Sequence, residues 1–291
     1  RLVEKNNRIT EVLVQVSKRN IQFRIFPKIC VSSCGAINGP ALFLRSGIND
    51  NGRVGKRTFL HPVMGVAAHF PHSINGFYGA PQSVSSHQFI DRGPNKIGFF
   101  LESAPTHPVL ASTASSGFGA PQQRFMQQLH RSSFLIALHV DGILDQDQGG
   151  EVSVQRNGRI NLDYPISDAL KEAFQESVTR MAELALAAGS SKVYSLHSDP
   201  VELKHKDDIP LLAQQEYGAL KHGIFTAHQM GGLAMGSDPK TSVVSSQLQH
   251  HRLQNLFVVD GSVFPTSLGV NPSESIYGLA HWARAIIAQA L

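Results

Sequence analysis

Two cysteines in 291 residues leave no room for a disulfide framework. Cys30 and Cys34 both fall in KICVSSCGA, and along a strand that spacing is roughly 13 Å, too far for a bridge or a shared metal. They read as free buried thiols of a reducing compartment. No uninterrupted apolar run approaches the roughly eighteen residues that span a bilayer. The 26 basic and 22 acidic residues give a formal charge of +4, with no lysine or arginine block behind it. Nucleic-acid binding and a membrane-spanning helix are therefore not expected; a cytoplasmic location is, with peripheral membrane association left open. Several catalytic signatures are also missing. There is no G-x-S-x-G elbow and no H-E-x-x-H helix. GGLAMGS has the glycine spacing of a phosphate loop but carries Ser237 where lysine belongs. GFGAPQ follows a polar loop and runs into Pro121, so neither a strand nor a helix frames its glycines. A serine hydrolase and a metal centre are thus not indicated.

What is present is a globular composition, 42% hydrophobic and 16% charged, long enough for one large domain or two modest ones. The alternating runs ITEVLVQV, IQFRIF and ICVSS over residues 9 to 34 predict a β-meander with turns at Asn and at Lys18-Arg19-Asn20. GAINGPALFLRSG reads as a strand end, a turn and a short helix closed by Gly47. Residues 71 to 96, rich in Ser, Gly, Pro and Asn, read as loop. In VSVQRNGRINLDY, Asn157-Gly158 predicts a two-residue type I′ hairpin turn. A long amphipathic helix follows over 167 to 188, with a stripe of Leu170, Phe174, Val178, Met181 and Leu184-Ala185 and a stop at Gly189. The fold class expected is α+β, with a mostly antiparallel sheet flanked by helices in the middle of the chain. Its boundaries fall at 1–62, 63–224 and 225–291, the two outer segments joining as one unit.

Three constellations carry chemistry. In NPSE, Asn271 at N-cap, Pro272 at N1 and Glu274 at N3 form a capping signature. It serves equally as a plain helix start or as a positive helix end that holds an anion. In LFVVDGS, Asp260 and Gly261 end an apolar strand; this is either an Asx turn or the place where α/β folds meet a ribose, ribityl or phosphate group. His228, one of 14 histidines, precedes Gly231-Gly232. A glycine pair lets backbone approach a planar ligand, and an imidazole with an ordinary pKa near 6.5 can accept a hydroxyl proton.

Taken in order, HQMGGLAMGSDPKTSVV and NLFVVDGSVFPTSLGVNPSESIYGLA resemble the C-terminal signature of the glucose–methanol–choline (GMC) flavin oxidoreductases, nearest to the members that oxidise steroids and fatty alcohols. CGAINGPALFLRSGI resembles the family's second signature, and VGKRTFLHPV its crossing into the substrate domain. The resemblance implies FAD as cofactor, with Asp260 and Gly261 at its ribityl and pyrophosphate part and Gly231, Gly232, Asn271 and Pro272 against the ring. It implies that His228 is the base for a substrate hydroxyl while hydride passes to flavin N5, and that Asn271 is the second polar group there. FFLESAP implies a third catalytic group, Glu102, whose other reading is a strand-end acid facing solvent. No metal is implied. Gly39 replaces the signature's Ser or Thr, Phe43 an aliphatic residue, and Leu233 a frequent Cys. The family's opening strand, G-x-G-x-x-G and helix, which bind the ADP half of FAD, have no counterpart here, so the FAD-binding domain is expected to be incomplete. The activity implied is oxidation of a CH–OH donor, an apolar alcohol given FYGAP, IGFFLESAP and SSGFGAP. The alternative is a non-catalytic remnant, or a subunit whose partner polypeptide carries the N-terminal FAD-binding part. Convergence of His228 and Asn271 above the Asp260 turn is the geometric expectation.

Overall fold

The structure, a computed structural model, describes residues 1–16, 19–80 and 82–291. Its strands are β1 (Leu2–Lys5), β2 (Arg8–Gln15), β3 (Gln22–Ile25), β4 (Cys30–Ser32), β5 (Thr58–Leu60), β6 (Val63–His69), β7 (Ser85–Ser86), β8 (Phe99–Ala104), β9 (Ser132–His139), β10 (Glu151–Val154), β11 (Ile160–Asp163), β12 (Lys192–Ser195), β13 (Glu202–Leu203), β14 (Gln229–Gly231) and β15 (Leu256–Val258). Its α-helices are α1 (Gly35–Ser46), α2 (Pro108–Ala114), α3 (Ala120–Gln127), α4 (Asp168–Ala187), α5 (Pro210–Ala213) and α6 (Ser273–Gln289). Helices and strands are mixed along the chain, and among the described residues the named strands pair antiparallel except β4 with β15. Two compact units result, one of residues 1–60, 145–165 and 227–291, the other of 61–144 and 166–226.

In the first unit, β1, β2 and β3 form an antiparallel sheet. The link between β1 and β2 is Asn6-Asn7, both left-handed at φ 54° and 57°, a conformation asparagine tolerates better than most residues. The sequence puts a different third strand in this meander. Residues 30–32 leave it and pair in parallel with β15, Cys30 opposite Leu256 and Ser32 opposite Val258. Asn255 explains the exchange: its Nδ2 donates to the Ile9 and Lys28 carbonyls while its Oδ1 accepts from Ile9 N at 2.7 Å. One buried amide thus ties the meander and the start of β4 to the C-terminal strand. The turn expected at Lys18-Arg19-Asn20 includes Lys18, which lies outside the described residues.

The strand end, turn and short helix expected over 35–47 are one helix, α1, which runs through Pro40 and closes at Gly47. Proline removes a single backbone donor there, and Pro40 is buried with Ala36, Ala41 and Phe43 on the face that packs inward. The β10–β11 hairpin packs on α1; the division expected at 62 and 224 places those residues in the middle segment, whereas contacts group 145–165 with the outer ones. Its turn is longer than the two-residue form predicted. Gly158 N donates to the Gln155 carbonyl at 2.8 Å and Gln155 N to the Arg159 carbonyl at 2.9 Å. Only Gly158 takes a positive φ, 82°, giving a type I turn followed by a left-handed glycine. Asn157 is held otherwise, its Oδ1 accepting from Arg159 N.

The second unit is built on one antiparallel sheet, in the order β13-β12-β6-β9-β8-β7. Alternation along β6 sends Met64, Val66 and Ala68 to the face covered by α4, with Phe99, Leu101, Ala137 and Val193 beside them. From α4, Leu170, Phe174, Val178 and Met181 enter this cluster; burial of each such side chain contributes about 1.5–3 kcal/mol. Ser167 caps the helix by accepting from Leu170 N, and Gly189 follows it in the left-handed region. Leu184, expected in the apolar stripe, is exposed, and Ala182 takes that flank of the seam. The opposite face holds Val63, Phe100, Ile136 and Leu138, and nearer α2 and α3, Ala67, Phe134 and Leu196. The described residues between 71 and 96 are loop apart from β7. Cys34, expected buried, is exposed, and both thiols are free.

Candidate active site

His228 is half-buried and stands one residue before β14, which pairs with β5 through Gln229–Leu60 and Gly231–Thr58. Burial lowers its pKa from the ordinary 6.5, so the ring is neutral at neutral pH and able to accept a proton. The glycines that follow answer to packing. A Cβ on Gly231, at φ 76°, would lie 2.1 Å from the Arg57 carbonyl oxygen, and one on Gly232 would lie 2.8 Å from Pro40 Cγ. The Cβ side of these two residues is filled by the segment entering β5 and by α1. Gly231→Ala is expected to cost about 3 kcal/mol or more, through a strained φ and a backbone clash together. A urea midpoint unchanged from the parent would overturn this account.

Asp260 follows β15, and both of its oxygens are engaged by the chain. Oδ1 accepts from Ser262 N at 2.8 Å and Oδ2 from Gly35 N at 2.9 Å. The carboxylate thus makes the Asx turn and fastens the first residue of α1 to the end of β15. Gly261 is a junction. A Cβ there would sit 3.1 Å from the Gln229 carbonyl oxygen and 3.2 Å from Ile276 Cδ1. The segments that carry His228, Asp260 and Asn271 therefore meet at one backbone position.

The helix after Asn271 starts one residue later than the sequence predicts. Pro272, buried, occupies the cap position and Ser273 begins α6, with Glu274 still in the first turn. Ile276 N makes the first helical bond, to the Pro272 carbonyl at 2.9 Å. Proline brings no capping side chain, and the Asn271 carboxamide does not hold the cap position expected of it. Glu102 belongs to the second unit, on β8 opposite Ile136, on the sheet face away from α4. It is buried, with Gln82 Nε2 donating to its Oε2 at 2.7 Å; the solvent-facing alternative does not hold.

Two residues carry a signal the sequence hides. Ser32 ends β4 and Ser262 follows the Asp260 turn, and both hydroxyls are buried without a partner among the described residues. Ser262 Oγ faces Gly39 of α1, where an added Cβ would lie 3.9 Å from it. Close by, α1 begins with no side-chain cap from Cys34 and no acid in its first turn. The carboxyl ends of two parallel strands and the start of a helix meet here, the arrangement in which open α/β sheets receive ligands. The β4–β15 pairing, which the sequence does not announce, brings Ser32 opposite Val258, at the end of the strand that leads into Ser262.

Two family models described as GMC oxidoreductase match the chain, one over residues 1–63 and the other over 147–280. The chain belongs to the GMC oxidoreductase family. Among curated relatives of this GMC chain, long-chain-alcohol oxidase FAO4A of Arabidopsis thaliana is 26% identical over 276 residues, which is 87% of this chain and 36% of that protein. A cholesterol oxidase of Acinetobacter baumannii is 49% identical over 63 residues, 22% of this chain and 11% of that one. A crystal structure of formate oxidase superposes with a TM-score of 0.70 at 16% identity, over 100% of this chain and 60% of that one. The GMC chain thus spans little more than a third of the length of the first alcohol oxidase it matches.

GMC oxidoreductases are FAD-binding flavoproteins. The residues present fit such a group: among the described residues the Ser32 and Ser262 hydroxyls are buried without a partner, which leaves polar capacity beside the start of α1.

Proposed function

We propose that this chain forms the catalytic side of an FAD-dependent alcohol oxidoreductase acting on CH–OH donors. The observation that carries the reading is the meeting at Gly261 of the segments bearing His228, Asp260 and Asn271. Ser32, Ser262 and the first turn of α1 would hold the polar part of the cofactor. When bound, FAD supplies the acceptor for the two electrons that leave the carbinol carbon. The neutral His228 imidazole takes the hydroxyl proton, so the alcohol gives up one proton and a hydride equivalent and becomes the carbonyl. The Asn271 carboxamide orients the substrate oxygen by hydrogen bonding. Glu102, held by Gln82, is assigned to the substrate side. The names of the relatives, long-chain-alcohol oxidase and cholesterol oxidase, and the runs IGFFLESAP and SSGFGAP support an apolar alcohol; FYGAP includes Pro81, outside the described residues. The reading includes polypeptide carrying the part that binds the ADP half of FAD, since residues 1–291 cover 36% of that alcohol oxidase. The test is anaerobic mixing of the flavin-loaded protein with a long-chain primary alcohol and with a sterol. Bleaching of the flavin absorbance by either is expected; a flavin that stays oxidised with both removes the assignment.

A further inference from the structure

We propose that the second unit carries a separate binding site for a small organic monocarboxylate, in the cavity between α3 and the His69 end of β6. The alternation that sends Met64, Val66 and Ala68 to the face covered by α4 turns Ala67 and His69 to the opposite face. Ala67 is short, and Phe125 of α3 packs against the buried cluster to which it belongs. A cavity of about 340 Å³ remains there, at the lower end of the roughly 300–1,000 Å³ typical of small-molecule sites. One of its walls is aromatic: the His69 ring lies 5.0 Å from that of Phe125 and 5.2 Å from that of Tyr194 on β12, centroid to centroid. Glu102 lies on the same sheet face but two strands away. It stands opposite Ile136 of β9, which in turn stands opposite Gly65 of β6, and Ile136 is buried. The cavity is thus apart from the carboxylate assigned to the alcohol, and its reading does not rest on the flavin one.

The polar groups of the lining select the ligand. His69 is only 5% exposed, and among the described residues its Nε2 has no partner, nor has the Ser115 hydroxyl at the end of α2. Buried polar atoms left in that state cost stability unless something meets them. Burial lowers the His69 pKa below 6.5, so the ring is neutral at neutral pH and brings a hydrogen-bonding atom without a charge. The charged side chains of the lining are Arg124, Lys192 and Glu202. Glu202 is already matched twice, by Lys192 Nζ at 3.0 Å and by Lys204 Nζ at 3.2 Å. Arg124, exposed on the open side, makes no ion pair among the described residues. One guanidinium is therefore left over, and its fork suits the two oxygens of a carboxylate. The aromatic wall suits a compact apolar body behind that carboxylate, and the idle imidazole and hydroxyl can each take one further bond. A neutral alcohol would leave Arg124 unmatched. A dianion such as phosphate would press against Glu202 and leave the aromatic wall uncovered.

The experiment is calorimetric titration of the protein carrying this chain with benzoate, and with benzyl alcohol and inorganic phosphate for comparison. Benzoate is expected to bind once per chain at millimolar concentration or below, about tenfold or more tighter than either comparison compound. Arg124→Gln, at an exposed position with no ion pair to lose, should weaken benzoate about tenfold or more. His228→Ala should leave benzoate binding unchanged, because that residue belongs to the first unit. The proposal is overturned if benzoate does not bind at millimolar concentration, or if benzyl alcohol or phosphate binds as tightly. It is overturned equally by an Arg124→Gln variant that binds like the parent, or by loss of benzoate affinity in His228→Ala, which would put the acid in the flavin site.

Discussion

His228→Ala is expected to lower the rate constant for anaerobic flavin reduction by an alcohol by about 10²–10⁴-fold, the range general-base catalysis contributes. The physical basis is the state of the imidazole. Burial disfavours the charged ring and holds its pKa below the ordinary 6.5, so the proton-accepting form persists to lower pH than in an exposed histidine. The sign of the pH dependence follows. Reduction should be flat above neutrality and fall on the acid side as the ring protonates, with its midpoint below 6.5. In the alanine variant that limb should vanish together with most of the rate. Asn271→Asp makes a second arm: a carboxylate at the substrate oxygen lends no amide donor, so reduction should slow while the acid limb assigned to His228 stays. Reduction by His228→Ala at the parent rate, or an acid limb surviving in it, sinks the base assignment. Loss of flavin from the variant would point to a binding role instead, which the absorbance spectrum reads directly.

The sequence makes local devices legible and long-range pairings illegible. The α4 helix could be read from Ser167, the stripe at Leu170, Phe174, Val178 and Met181, and Gly189, because cap, period and stop all lie within one element. The fate of residues 30–32 could not. Their apolar run suits either a third meander strand or a parallel partner, and the choice is made by Asn255, more than two hundred residues away. The site divides in the same way. His228, Asp260 and Asn271 stand out by their local company, yet the close packing on the Cβ side of Gly231-Gly232 is hidden. Arg57 and Pro40, which fill the space those glycines leave, reach them only through the tertiary fold. Ser32 and Ser262 are ordinary serines in the sequence, and their significance is a missing hydrogen bond. At Asn157-Gly158 the pair marked the turn correctly, and the loop length turned on hydrogen bonds of Gln155.

The protein is expected to lose stability steeply as pH falls from 6.5 toward 4, and the cause is a set of buried histidines. Burial lowers His139, His197 and His250 to about 4 each, from 6.5. His139 gives the clearest enclosure: Nδ1 donates to the Pro62 carbonyl at 2.8 Å, and Nε2 lies 3.0 Å from the Ser177 hydroxyl. Between those two pH values the unfolded chain binds protons at these sites that the folded chain refuses. Stability contributed by the neutral rings is therefore complete above 6.5, is lost as pH falls, and stops changing below about 4. At pH 5 each of the three sites has given up about 2 kcal/mol, roughly 6 kcal/mol together, against a typical total of about 5–15 kcal/mol. Urea unfolding at pH 7.5, 6 and 5 measures the slope. His197→Phe isolates one site, because among the described residues neither buried nitrogen of His197 has a partner and its ring packs edge-on to Tyr217 at 4.9 Å. The variant forfeits no hydrogen bond at neutral pH and removes one proton site. Its stability should fall by about 2 kcal/mol less than the parent's between pH 7.5 and 5. Parallel pH profiles for the two proteins would show that the His197 ring stays accessible to protons in the folded state.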